Sequence, residues 1–203
     1  KSSGVARSFG VSSGALTLAG GAGSILTVTS QLTTPQFTMT SGSLTGTGNL
    51  TGSNNFSQSG GTIALTGTAT AGITQATGDL VIGSLAAPTV SLTAQSGSVS
   101  QSGPIVASAL VTKSVTGTDL GDAGNQVSSF TATNSGSGNV VLTNKGALSV
   151  ASIGITNSGG NITLTADNVT ATNANVSATG DIIADVAGDL KLNEGSSFTS
   201  GND

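Results

Sequence analysis

The phrase GNVVLTN, beginning at Gly138, returns as GNITLTA from Gly160 and as GDIIADV from Gly180. Each copy opens a unit of alternating apolar pairs. After Gly138 the pairs are Val140/Leu142, Leu148/Val150 and Ile153/Ile155. After Gly160 they are Ile162/Leu164, Val169/Ala171 and Val176/Ala178; after Gly180, Ile182/Ala184, Leu190/Leu192 and a lone Phe198. Such alternation marks strands that bury one face, because successive side chains point to opposite sides. Each pair is too short to stand as a strand by itself. Between pairs lie Gly, Asn, Ser and Thr, which accept tight turns. Three short strands and their corners, in a unit of ~20 residues, describe one coil of a parallel β-helix. One coil cannot bury its own apolar face, whereas a stack turns inward Val, Leu and Ile into continuous columns.

The first half of the chain repeats the pattern less regularly, with alternating segments at 15–18, 25–29, 37–40, 62–66, 79–82 and 89–93. Between 103 and 137 the period blurs, and GTDLGDAGNQ (117–126) reads as a loop excursion on one corner. No apolar stripe at helical spacing runs long enough for a helix. No Pro-rich or charged linker interrupts residues 1–203. The sequence thus predicts one all-β domain, a single-stranded parallel β-helix with about 20 residues per rung; roughly ten rungs make a rod ~48 Å long. No amphipathic capping helix is legible at either end, although open sheet edges normally need cover. The expectation is an internal piece of a longer fibrous protein.

What such a chain can do is bounded by what it lacks. It has no Cys, His, Trp or Tyr, and charged residues make up 7% of it. Leu, Ile, Val and Phe account for 48 of the 203 residues, above the rough 20% floor for ordered chains. The five cations, Lys1, Arg7, Lys113, Lys145 and Lys191, are scattered over a chain of net charge −4. Nucleic-acid binding needs a clustered basic surface, so no nucleic-acid partner is expected. No run approaches the ~18 apolar residues of a membrane span, so no membrane insertion of this segment is expected. The absence of cysteine rules out disulfides and thiolate metal sites, and is compatible with an extracellular setting.

The same scarcity removes most catalytic constellations. Without His there is no Ser-His-Asp triad and no imidazole ligand; without Cys there is no thiol nucleophile. Carboxylates remain, and Asp181, Asp185, Asp189 and Glu194 cluster late. Paired acids can cleave glycosides or hold Ca²⁺. Turn chemistry accounts for them more simply. Asp181 and Asp189 follow glycine as Asn139 and Asn161 do, where a short polar side chain can bond the backbone of a corner. GGAGSI at Gly20 begins a calcium-binding nonapeptide and then places Ile25 where the acid belongs. Polysaccharide cleavage on a β-helix needs a cation beside the acidic substrate, and Arg7 is the lone arginine. Sugar stacking wants Trp or Tyr. The reading is therefore no enzyme, and no catalytic, cofactor-binding or metal site; a carbohydrate-binding or polysaccharide-degrading β-helix is the alternative.

Two surface patterns remain. Sequons at Asn49, Asn55, Asn161, Asn168 and Asn175 arise readily by composition in a chain rich in Ser, Thr and Asn. Thr-x-Thr pairs begin at Thr27, Thr38, Thr131, Thr163 and Thr170. Regular Thr ranks on a solenoid can order water as ice does, but these intervals are irregular, and Thr is in any case a good outward β residue. An ice-binding solenoid is the remote alternative.

The Gly-Asn/Asp-aliphatic-x-aliphatic phrases, the Ser- and Thr-rich outward positions and the loose ~20-residue period resemble the filamentous haemagglutinin family. These are bacterial exoproteins of two-partner secretion with right-handed parallel β-helix shafts. Autotransporter passenger shafts share the style. The family's secretion domain carries Asn-Pro-Asn, whereas Pro35, Pro88 and Pro104 follow Thr, Ala and Gly here, so the resemblance is to shaft. It implies a secreted fibre on the bacterial cell surface that serves adhesion, aggregation or biofilm. The partners it implies are neighbouring segments or copies of the fibre and a host or cell-surface glycan or protein.

Overall fold

A computed structural model describes residues 9–10, 14–21 and 23–202. The described chain consists of strands and turns with no helix, and every strand pairing is parallel. It winds as a β-solenoid of about 9 turns with ~20 residues per rung. Nine coils at the usual interstrand spacing give a rod on the order of 40 Å long, slightly shorter than the period alone suggests.

Three walls follow one another around each coil. The first is built in the early coils from Ile25–Val28, Ser43–Gly46, Thr62–Leu65 and Ser84–Ala86. The second holds Thr70–Gln75 and Thr89–Ala94. In Ile105–Ser114, Gln126–Asn134 and Ala147–Asn157 one long strand runs through both walls, and the next coil divides it again into Asn168–Ala171 and Asn175–Ala178. The third holds Leu80–Ile82, Val99–Gln101, Thr118–Leu120, Val140–Thr143, Ile162–Ala166 and Ile182–Val186.

The quoted phrase lies on the third wall, and its copies stack in line. Val140 is in register with Ile162, and Ile162 with Ile182; Leu142, Leu164 and Ala184 form the column beside them. On the second wall Leu32, Leu50, Ala71, Val90, Leu110, Phe130, Val150, Ala171 and Leu192 make one unbroken column. All but Leu192 are buried. Fully burying such an aliphatic side chain contributes ~1.5–3 kcal/mol, and each coil delivers several against the entropy of fixing its ~20 residues. Phe37 stacks on Phe56 in the core, with ring centres 5.1 Å apart.

Two local expectations change. Ile153 points outward and is 74% exposed, although alternation pairs it with the buried Ile155. The cause is a bulge: the chain from Val150 to Ile155 spans what Phe130 to Ala132 spans in the coil before. Gly154, at φ +78°, turns the chain back inward there, in a region that favours glycine. The stretch 117–126, expected as a loop, contributes the regular strand Thr118–Leu120 before it turns. Its period blurs because Thr118, not an aliphatic residue, occupies the column between Val99 and Val140. At one point a side chain replaces a strand partner: Gln75 Oε1 accepts the Phe56 N–H at 2.8 Å.

Candidate functional site

The chemically distinctive feature of the surface is a ladder of Asn and Asp side chains along one corner. Asn139 Oδ1 accepts the backbone N–H of Asn161 at 2.9 Å, and Asn161 Oδ1 accepts that of Asp181 at 2.9 Å. Asp181 Oδ1 accepts in turn from Asn202 Nδ2 at 3.2 Å. Each side chain satisfies a donor one coil further on. The preceding glycines explain the Gly-Asn/Asp phrase. A Cβ on Gly160 would lie 2.5 Å from Asn139 Oδ1, and one on Gly180 would collide with Asn161 Oδ1. Glycine leaves the space through which the previous coil's side chain reaches the backbone.

The late carboxylates fall into place around this device. Asp181 occupies the rung position of Asn139 and Asn161, as the sequence suggests. Asp189 does not; it sits at another corner, where its N–H is bound by Asn168 Oδ1 at 2.8 Å. Its carboxylate meets Lys191 Nζ at 3.2 Å, with both side chains more than 60% exposed, an arrangement worth little in water. Asp185 lies on the outer side of the third wall, in register with Thr165, and Glu194 is exposed in a turn. Among the described residues no three of His, Cys, Asp and Glu come together as metal ligands. A pair that the sequence reading did not single out, Asp119 and Asp122, shares an open depression of about 380 Å³ with Ser100, Gln101 and Ser102. Asp122 is engaged there by the Gly124 N–H at 2.7 Å.

The acidity of Asp79 is shifted by the coil that follows it. The Ser98 N–H and then the Ser98 hydroxyl donate to its Oδ1, at 2.8 and 2.9 Å, and hold its pKa below the usual aspartate value. This is the same coil-to-coil capture, with a carboxylate in place of an amide.

The sequon asparagines are drawn into the same bonding. Asn49, Asn161 and Asn168 accept backbone N–H groups of Thr70, Asp181 and Asp189. Asn55 accepts from Gln75 Nε2, and Asn175 from the Ser197 hydroxyl. All these partners lie one coil further on, which supplies a structural reason for asparagine at each position.

A second amide network is internal. Asn134, Asn144 and Asn157 are buried at strand ends. Asn134 Nδ2 donates to Asn157 Oδ1 at 2.8 Å and to Ser137 O at 2.8 Å, while its Oδ1 accepts the Gly117 N–H at 2.9 Å. Asn125 and Gln101 exchange amide hydrogen bonds at 2.9 and 3.0 Å. The sequence analysis does not single out these amides; the signal is the dipeptide Thr-Asn, which closes a strand at 133–134, 143–144 and 156–157. Two buried hydroxyls, Thr112 and Thr131, have no hydrogen-bond partner.

The surface also holds a long open furrow of about 580 Å³ crossing several coils, lined by Leu65, Pro88, Val106, Gln126 and Lys145 among others. It contains no carboxylate and no aromatic ring. A rank that the sequence intervals hide runs in register from coil to coil: Thr74, Thr93, Lys113, Thr133, Thr156, Ser177 and Thr199. Lys113 interrupts the hydroxyls with a cation.

These observations define the class: a β-solenoid repeat protein whose polar side chains join successive coils. Comparison with protein-family models, with curated proteins and with solved structures finds no match to the chain.

Proposed function

We propose that the chain is a structural and adhesive shaft, a β-helical segment of a secreted fibre on a bacterial cell surface, without catalytic activity of its own. The observation that carries this reading is the aliphatic interior running through successive coils, enclosed by a surface whose Asn and Asp side chains are engaged in joining one coil to the next. That arrangement favours length and persistence over a concave, convergent site of the kind substrates occupy. The resemblance of the Gly-Asn/Asp phrases to filamentous haemagglutinin shafts supports the same role and the same location. The shaft's partners are then neighbouring fibre segments and a glycan or protein displayed on a cell.

Imaging of the native material by electron microscopy tests the proposal. Thin, unbranched fibres longer than one chain's rod of ~40 Å are the expected result. Compact single particles that turn over a polysaccharide would overturn it.

A further inference from the structure

Two depressions on the flank of the rod share Ser102. One, of about 400 Å³, is lined by Asn55, Ser57, Gln75, Asp79 and Val81 among others; the second is the 380 Å³ depression of Asp119 and Asp122. Register joins them, since Val81, Ser100 and Asp119 stand in line on three successive coils. Together they make a polar trough that crosses the strands and follows the axis of the rod.

Hydroxyls and amides alternate in it with the carboxylates of Asp79, Asp119 and Asp122, and none of Lys113, Lys145 and Lys191 lines it. The acids are spread out rather than clustered. Asp79 stands two coils before Asp119, ~10 Å away along the rod. Two of the three are oriented in advance: Asp79 Oδ1 accepts from Ser98, and Asp122 Oδ1 from the Gly124 N–H, while each Oδ2 takes no part in those bonds. Gln75 is likewise fixed, by the Phe56 N–H on its Oε1 and by Thr77 O on its Nε2. Groups held in place beforehand lose little freedom when a ligand binds. Among them Val81 is 43% exposed, an apolar spot in a polar surface.

A ligand that matches this trough is long and straight, carries cations at intervals with hydroxyls between them, and has an apolar face. A chain of amino sugars linked through equatorial oxygens has each of these properties. Its rings succeed one another at about the ~4.8 Å by which coils succeed one another, so ring and coil keep step. Its hydroxyls meet carboxylate, amide and serine groups, and its ammonium groups meet the three acids in charge-assisted bonds. Its C–H face rests on Val81, where an aromatic ring stands in sugar sites that stack.

We propose that the trough from Asp79 to Asp122 binds a linear β-1,4-linked glucosamine chain with free amino groups. This deepens the adhesive part of the shaft reading, on which it rests, by naming the glycan and its place.

Calorimetric titration of the full chain with a glucosamine hexamer tests it, at about pH 5.5, where amines are protonated and carboxylates ionised. The N-acetylglucosamine hexamer and hexalysine are the comparison ligands; Asp119→Asn, Ser102→Leu and Asp185→Asn are the variants. Asp119, Ser102 and Asp185 are all exposed, so the β-sheet circular dichroism of each variant should match the wild type. Asp185 lies on the same wall outside the trough and serves as the control. The expected result is a dissociation constant below ~1 mM for the glucosamine hexamer. Acetylation, Asp119→Asn, which removes a charge, and Ser102→Leu, which fills the trough at constant charge, each weaken it about tenfold or more, and Asp185→Asn leaves it unchanged. No binding at ~1 mM overturns the proposal. So does hexalysine that binds as tightly as the sugar, or sugar binding indifferent to Asp119→Asn and Ser102→Leu, since either reduces the trough to general attraction between charges. Failure to bind the sugar by a chain whose native material forms long fibres removes this proposal alone; compact particles in place of fibres remove the shaft reading and the proposal with it.

Discussion

Replacing Asn134 by aspartate exchanges one buried donor for an acceptor and leaves the shape of the side chain almost unchanged. Asn134 Nδ2 donates to Ser137 O at 2.8 Å, Gly138 O at 3.3 Å and Asn157 Oδ1 at 2.8 Å. Its Oδ1 accepts the Gly117 N–H at 2.9 Å and the Ser114 hydroxyl at 3.1 Å. An ionised carboxylate keeps the accepted bonds and turns the donated ones into oxygen–oxygen contacts, in a position of 0% exposure. The lost bonds cost ~1 kcal/mol each, and a buried charge without a cation adds more, giving a penalty of ~3–5 kcal/mol near pH 7. The introduced carboxyl has a folded-state pKa raised above the unfolded value of about 3.9, so the part of the penalty due to ionisation is absent well below that value and grows as pH rises through the interval. At about pH 3.5 the neutral carboxyl donates one bond, and more than half of the loss is recovered. Urea unfolding followed by β-sheet circular dichroism, at both pH values and against the wild type, measures this. A penalty under ~1 kcal/mol near neutrality, or one equal at both pH values, would refute the buried amide network as a link between coils.

Further substitutions probe the rest of the architecture. Ile162→Ala, at the centre of the Val140–Ile182 column, should cost ~2–5 kcal/mol in the same urea assay, while Ile153→Ala on the bulge should change stability by less than ~0.5 kcal/mol. Gly160→Ala introduces a Cβ 2.5 Å from both Asn139 Oδ1 and Gly138 O, and a loss of ~1–3 kcal/mol is expected from the forced shift. The lowered pKa of Asp79 adds stability that is present above the ordinary aspartate range and fades as pH falls through the lowered value. Asp79→Asn, which retains an acceptor for Ser98, should therefore flatten the acid limb of a melting-temperature profile while leaving the fold intact.

The columns were legible because two-residue alternation is a geometric necessity of a strand: Val140, Ile162 and Ile182 could be aligned from their spacing after glycine. Register was not legible. Ile153 obeys the alternation and is nonetheless outside, because a bulge resets the count and nothing in ASIG announces it except Gly154. Thr118 hid a whole strand by standing where an aliphatic residue was expected. The hydroxyl rank from Thr74 to Thr199 was invisible for the converse reason: corners of unequal length absorb irregular intervals and return the side chains to line. The interior asparagines were missed because polarity argues for the surface unless a partner is in sight, and Asn157, the partner of Asn134, lies a full coil away. The corner role of Asp181 was readable from Gly-Asn/Asp alone, whereas that of Asp189 was assigned to the wrong corner, since the same dipeptide serves more than one turn.

The parallel ladders have a mechanical consequence. Hydrogen bonds between successive coils run along the rod, so tension applied at its two ends pulls directly on them, one circuit at a time. Each circuit of ~20 residues that peels away releases on the order of 60–70 Å of extended chain, far more than the few ångströms it occupied in the stack. Under load such a rod would yield stepwise and lengthen greatly before parting, and Asn139, Asn161 and Asp181, clasping adjacent circuits, would set how much force each step requires.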